Sequence, residues 1–192
     1  AIILADEGYQ GLWSNPSIGS GNAIAMAIRA GINPQNLHKV PLHPMVVQGT
    51  EIPIPFEILG AGGRYRSEAG EDIDPLNHEG DAVVDMRFID DQHTLWFDSI
   101  RKTILDSTGL DISIDVVPVT HQVMETTGGL PVDEKGRVTI ESGKMWATGV
   151  YAAGPSASTG FHTSSILPGN TMLENLYTGS LAGEEAGKWS LN

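Results

Sequence analysis

Apolar positions along this chain change their spacing from one stretch to the next, and each spacing predicts a different element. Ala1 to Ala5 is a short continuous apolar run, the pattern of a buried strand in a parallel sheet. Glycines and Pro16 fill a loop through Gly21, and Ala23 to Ala30, rich in Ala, Ile and Met, reads as a helix. Ser20 or Asn22 is placed to cap its start, and Gly31 ends it as the glycine just past the last turn. From Leu42 to Ile58 prolines interrupt an apolar stretch. Gly60 to Gly63 and a polar segment through Asp81 follow, so irregular strands and loops are expected here. Asp91 is placed to cap a helix from Gln92 to Asp106, with Leu95, Ile100, Ile104 and Leu105 inward and Gly109 as its stop. Ile112 to Val119 alternates and is β-branched, which predicts a strand. Val132 to Ile140 reads as a hairpin around Lys135-Gly136, and Gly149 to Gly154 as a buried strand ending on glycine. After a Gly- and Ser-rich loop, a last helix is expected from Asn170 to Lys188.

Both ends of the chain are therefore α/β in character, while the middle is mixed. The simplest organisation is one domain built from residues 1–40 and 128–192, with residues 41–127 inserted as a smaller α+β domain.

Composition narrows the choice. With 192 residues, 40% hydrophobic and 18% charged, the chain is globular and long enough to bury a core. Its formal net charge of −13 argues against nucleic acid and anionic membrane surfaces as partners. An anionic substrate would need a locally positive pocket against that field. The chain has no cysteine, so it forms no disulfide, holds no iron–sulfur cluster and offers no thiolate nucleophile. No apolar run approaches the roughly 18 residues that cross a bilayer, so direct membrane insertion is not expected. The first residues lack both Met and the basic segment of a signal peptide; they read as entry into a strand partway through a fold, as in a portion of a larger protein.

The densest candidate chemistry runs from Thr148-Gly-Val-Tyr-Ala-Ala-Gly154 through Ser158-Thr-Gly-Phe-His162 to Leu167-Pro-Gly-Asn-Thr-Met-Leu-Glu174. A strand ending on glycine leads through a loop of small residues to a helix opening on Gly169-Asn170. Such a helix start offers free N–H groups and a positive dipole end to an electron-rich ring, and the glycines allow backbone to approach a flat ligand. An ordinary strand–loop–helix connection satisfies the same pattern.

That stretch resembles the C-terminal FAD-binding signature of the fumarate reductase, succinate dehydrogenase and L-aspartate oxidase flavoprotein family, which reads roughly GLYAAGE…GxHGxNRLxGNSLLE. Other stretches resemble further family landmarks in the same order. Ala1 to Gly8 is similar to AVILATGG, with Asp6-Glu7 in place of Thr-Gly. Ser20 to Ala27 with Arg29-Ala-Gly31 is similar to TGDGIAMA…RAGA, and Val40 to Pro44 to VQFHP. Gly62-Gly63 with Gly70-Glu71-Asp72 is similar to GEGGxLxNxxGERF. Val119 to Met124 with Gly128 to Asp133 is similar to PxxHYxMGGIxVD.

The resemblance implies part of a doubly wound FAD-binding domain carrying an inserted capping domain at residues 41–127, with FAD as cofactor. It implies an oxidoreductase that moves a hydride between flavin and a small dicarboxylate-like substrate. Ala153, Gly154, Gly169, Asn170, Thr171, Met172 and Leu173 are expected to line the flavin, and His162 to orient its loop. His43 and His121 match the family's substrate-binding histidines, and Glu57 its proton-relay carboxylate. Were these histidines to act as imidazolium, substrate affinity should weaken as pH rises through their titration range. An iron–sulfur electron-transfer subunit is an implied partner, and the implied location is cytoplasmic or peripheral on the inner face of a membrane.

Several departures oppose the catalytic reading. Pro155 replaces the acidic residue that holds the FAD ribose, Leu59 stands where the family's proton-delivering arginine belongs, and Ser165 takes the place of the arginine ahead of Leu-x-Gly-Asn. Arg64 and Arg66 lie nearby, although solvated loop arginines are the plainer reading. The chain also lacks a G-x-G-x-x-G between strand and helix, so by itself it should bind FAD poorly. The alternative is a binding or assembly subunit that kept the fold and lost the chemistry.

Overall fold

The computed structural model describes residues 1–16, 21–162 and 169–191. In chain order it forms strand β1 (Ile2–Leu4), helix α1 (Asn22–Arg29), β2 (Leu42–Val47), the one-turn helix α2 (Glu57–Gly60), β3 (Arg64–Ser67), β4 (Ala82–Asp85) and α3 (Asp91–Thr94). A 3-10 turn (Leu95–Phe97), α4 (Asp98–Thr108), β5 (Val116–Val123), β6 (Leu130–Pro131), β7 (Arg137–Ile140) and β8 (Met145–Ala152) follow. A second 3-10 turn (Gly154–Ser156), β9 (Ala157–Ser158) and α5 (Asn170–Ser190) complete the order. The elements form two compact units: Ala1–Pro41 with Val123–Asn192, and Leu42–Gln122.

In the first unit a three-stranded sheet has the order β1-β8-β7. The two ends of the sequence meet in it, since β1 runs parallel to β8 with Ile2 opposite Val150 and Leu4 opposite Ala152. Of the hairpin expected over 132–140, a single bridge forms: Val132 pairs with Val138, and the Gly136 N–H donates to the Asp133 carbonyl. The longer antiparallel pairing of β7 is with β8, which follows it in sequence. Alternation along β8 sends Ala152 and Tyr151 to opposite faces. Ala152 joins Ile24, Ala27, Leu130 and Val138 in one core cluster, and Tyr151 joins Ala153, Ala182 and Ala186 in another. The alanines let α5 lie close to the sheet. Trp146 meets Tyr151 and Trp189 edge-on, with centroids 5.9 Å and 6.2 Å apart, which fastens the end of that helix.

Two expectations for this unit need correction. The parallel strand forms, but it is not buried: β1 is an edge strand, and Ile2 and Ile3 are 61% and 44% exposed. Asn22 is the first residue of α1 and not its cap; Gly21 holds the cap position with φ 78°, and Ser20 lies outside the described residues. A distant residue does the capping. The Asp6 carboxylate accepts the Ala23 N–H at 2.8 Å, the Gly8 N–H at 3.0 Å and the Ser156 hydroxyl at 2.6 Å. Burial pulls the Asp6 carboxyl upward, but these donors outweigh it and hold it below its ordinary range.

The second unit is built on a four-stranded sheet of order β2-β5-β4-β3, with β3–β4 and β4–β5 antiparallel. Its core contains Met45, Ile54, Ile58, Val84, Ile104 and Val117, all fully buried. Each contributes about 1.5–3 kcal/mol by leaving water. Beneath them Asp85, with no side-chain exposure, accepts Arg66 at 2.6 Å and Arg87 twice at 2.9 Å. Arg66 also meets Asp72 at 2.8 Å, so it is a structural ion-pair residue on a strand and not a solvated loop arginine. Arg64 is half-exposed, 3.6 Å from Asp72.

Here too the local pattern misleads in places. The expected single helix after Asp91 is broken by the 3-10 turn, and its cap position belongs to Asp90. The break changes the phase of the apolar face: Ile104 is buried, whereas Leu95 is 86% exposed and Leu105 is exposed. Gly109, at φ 78°, ends α4 as expected. Strand β5 starts at Val116, later than Ile112. The Asp111 carboxylate accepts the Ser113 N–H at 3.0 Å and its hydroxyl at 2.7 Å, which curls the chain before it can extend.

Candidate functional site

The first unit has a cavity of about 150 Å³ beside the start of α5, lined by its candidates Gly154, His162 and Thr171 but not by Ala153, Gly169, Asn170, Met172 or Leu173. Gly169 precedes that helix at φ 82°, where only a residue without Cβ sits without strain, and no side chain among the described residues caps the first turn. Gly154, at φ 59°, and Thr171 both line the cavity. The Gly154 N–H is spent on the Thr178 hydroxyl at 3.0 Å, which fixes the distance between the strand end and the helix. Ala153 is buried and its N–H donates to the Leu4 carbonyl at 3.1 Å. Met172 and Leu173 are exposed, at 70% and 65%.

Sequence reasoning missed the acidic side of this cavity. Glu125 accepts the Thr171 hydroxyl at 3.0 Å, and burial pushes its carboxyl up, opposed by the Thr171 bond and by His162 and reinforced by Glu174. His162 Nε2 lies 2.9 Å from Glu174, with both side chains largely covered, and the Thr159 hydroxyl donates to the same carboxylate. A signal was present: the resembled pattern sets Met directly before Gly-Gly, whereas Glu125, Thr126 and Thr127 stand between Met124 and Gly128 here.

The second unit holds the other candidates. His43 lies on β2 and His121 on its sheet neighbour β5. His43 Nδ1 accepts the Met45 N–H at 3.2 Å, and its ring leans on Phe56 with centroids 5.0 Å apart. Desolvation lowers its pKa to about 4, against the pull of Glu57 and with the help of His121. The imidazolium expected from sequence is thus corrected for His43: near neutral pH its ring is uncharged, with Nδ1 as acceptor and Nε2–H as donor. Glu57 opens α2, is exposed, and acts on His43 electrostatically.

The arginine positions remain empty of arginine. Leu59 packs against the second unit's core. Counted back from Gly169-Asn170, the residue directly before Leu167 is Ile166, so the second arginine position falls there and not on Ser165. Both residues lie outside the described ones.

A parallel strand pair, a glycine-ended strand and a long helix whose first turn no side chain among the described residues caps make an α/β domain of the kind that receives an electron-rich cofactor against backbone. The comparisons say which one. The family model described as FAD binding domain matches residues 1–172, and the chain belongs to that family, whose cofactor is FAD. It is 28% identical over 215 residues to L-aspartate oxidase of Yersinia pestis, covering 96% of this chain and 39% of that protein. It is 29% identical over 207 residues to L-aspartate oxidase 2 of Ralstonia nicotianae, covering 93% and 37%. Among solved structures, a quinol fumarate reductase from E. coli superposes with TM-score 0.81 at 20% identity, over all of this chain and 39% of that one. A flavocytochrome c3 fumarate reductase in an open conformation gives 0.60 at 19%, over 100% and 47%. These structural likenesses carry the fold. The chain spans about two fifths of the length of the curated relatives it matches.

The residues fit the ring end of FAD. Among the described residues no side chain caps the first turn of α5, which leaves N–H donors there, and none stands within 4 Å of where a Cβ on the left-handed Gly160 or Gly169 would lie. They do not supply a cradle for the pyrophosphate, since no G-x-G-x-x-G occurs in the sequence. No helix among the described residues is long and apolar enough to cross a membrane.

Proposed function

We propose that this chain is the ring-binding and capping portion of an FAD-dependent oxidoreductase acting on a small dicarboxylate-type substrate. The observation that carries it is the start of α5, which no side chain among the described residues caps, with Gly154 and Thr171 on one cavity, in a chain of the FAD binding domain family. FAD, when bound, supplies hydride transfer to or from carbon. The chain's own residues bind and orient. Gly154, Gly169, Asn170 and Thr171 hold the ring against backbone, with Ala153, Met172 and Leu173 flanking it. Residues 1–40 and 128–192 act as the FAD-binding domain and residues 41–127 as the capping domain, close to the observed division into two units.

In the capping domain His43 donates Nε2–H to a substrate carboxylate as a neutral group, its tautomer fixed by the Met45 N–H. His121 supplies a second donor from the adjacent strand, and Glu57 handles the proton. The substrate class follows the relatives named for L-aspartate and fumarate. An iron–sulfur subunit as electron partner, and a cytoplasmic or inner-face peripheral location, belong to the same reading.

One specific observation favours a second reading, a binding or assembly subunit without turnover: Leu59 is packed into a core where the family's arginine would meet substrate. The full-length protein separates the two. A visible flavin spectrum that fumarate, succinate or L-aspartate perturbs supports the enzyme. A colourless protein that FAD cannot reconstitute supports the assembly subunit.

A further inference from the structure

The three residues that interrupt the Met-Gly-Gly pattern are not a slack loop. The Trp13 indole N–H donates to Thr126 Oγ1 at 2.8 Å, and Thr126 is 7% exposed. The Thr127 N–H and hydroxyl both donate to the Lys39 carbonyl, at 3.1 Å and 3.3 Å. On either side, the Ser14 N–H donates to the Val123 carbonyl at 2.8 Å and the Gly129 N–H to the Gln35 carbonyl at 2.9 Å. Glu125 is therefore delivered to the cavity with little freedom. Its Oε2 meets the Thr171 hydroxyl in the first turn of α5, beside the His162–Glu174 pair.

We propose that Glu125 tunes the flavin: its carboxylate places a fixed negative charge at the ring end of the cofactor site and so lowers the reduction potential of bound FAD. This rests on the reading that the start of α5 receives the flavin ring. The physics is that of a charge held in a poorly solvated cavity. Reduction adds two electrons to the ring, and a nearby carboxylate disfavours the added negative charge, opposing the positive end of the helix. His162 and Glu174 are the other titratable groups facing Glu125. Protonated His162 would weaken its effect and ionised Glu174 would strengthen it. Because burial pushes the Glu125 carboxyl up, the effect is switched on as pH rises through a range above that of an exposed glutamate.

The test uses the full-length protein loaded with FAD, with midpoint potentials measured against redox dyes from pH 5 to 8. Glu125→Gln should shift the ratio of oxidised to reduced flavin at least tenfold toward reduced at pH 8, about 30 mV for a two-electron couple. The shift should shrink toward pH 5, and Glu125→Asp, which keeps the charge, should stay near the parent. Flavin that stays bound with a potential changed less than twofold in that ratio overturns the inference alone. Loss of flavin or of fold from Glu125→Gln, with Glu125→Asp also shifted, makes the residue structural and overturns it too. A parent protein that takes up no FAD overturns both the inference and the reading beneath it.

Discussion

Acid should destabilise this protein partly through one neutral histidine. His43 is covered by Phe56, accepts the Met45 N–H, and titrates at about 4, whereas in the unfolded chain it titrates near 6.5. The folded pKa is the lower one, so between these values the unfolded state binds more protons and folding stability rises with pH. Stability is fully present above pH 6.5 and falls as the pH drops toward 4. A difference of about 2.5 units corresponds to roughly 3 kcal/mol across that window. Urea unfolding at half-unit steps from pH 4 to 7 measures the slope. The same series on His43→Gln, which keeps a donor and an acceptor but does not titrate, supplies the reference. Carboxylates that titrate in the window, Glu125 among them, contribute to both proteins and cancel in the difference. The expected result is a parent that loses roughly 3 kcal/mol relative to the variant between pH 6.5 and 4. Parallel curves would refute the buried neutral imidazole. So would a ring NMR titration of His43 with its midpoint near 6.5.

Three further outcomes follow from the packing. Asp85→Ala strands Arg66 beside a buried void and should cost about 3–5 kcal/mol in urea unfolding, with loss of cooperativity in the second unit as the readout. Asp6→Ala removes the acceptor for two N–H groups and the Ser156 hydroxyl, and should cost about 2–3 kcal/mol at pH 7. The Asp6 carboxyl is depressed on folding, so the difference between parent and variant should narrow as pH falls from 4 through its folded pKa. Gly8→Ala puts a Cβ at φ 75° against the Pro155 carbonyl, and should cost about 3 kcal/mol or more, measured as a lowered melting temperature.

How much of this was legible follows from the range of the interactions involved. Where one short segment decides its own conformation, the sequence was enough: Gly31 and Gly109 follow their helices at φ 83° and 78°, which glycine adopts without strain, and the Lys135-Gly136 turn carries the Gly136 N–H to the Asp133 carbonyl. Where a distant group decides, it was not. The cap of α1 is Asp6, sixteen residues ahead of Asn22 in sequence and held in place by Gly8 and Ser156. Leu95 looked like part of an inward stripe because the 3-10 turn that rotates it outward leaves no mark in the apolar spacing. Ile112 and Ile114 alternate like a strand, yet the Asp111 carboxylate captures Ser113 and the alternation is spent on a turn.

The candidate site shows the same division with a sharper consequence. The motif pointed to Gly154, Gly169 and Thr171, and the left-handed backbone at the glycines and the helix start at Asn170 are local features that the sequence could carry. It also pointed to His43 and implied an imidazolium there, whereas burial first, with Glu57 and His121 acting through space, sets the charge of that ring and none of these is visible in the motif around it. Glu125 lies in three residues, between Met124 and Gly128, that the resembled pattern does not contain, so no motif points to it. Glu125 adds a negative charge in the first unit, and Leu59 leaves the second unit without the arginine that the motif implies, in a chain already at −13. A dicarboxylate therefore has fewer cationic partners here than the motifs alone suggest. It would rely on neutral donors such as His43 Nε2–H, which bind an anion through hydrogen bonds and give up the long-range attraction. Salt is the discriminating variable. Dicarboxylate binding through neutral donors should hold or strengthen between about 50 and 300 mM salt, because with no cation to screen, salt acts only on the repulsion between the anion and a chain of net charge −13. Binding that weakens severalfold over that range would place a cation in the site and return Arg64 to consideration.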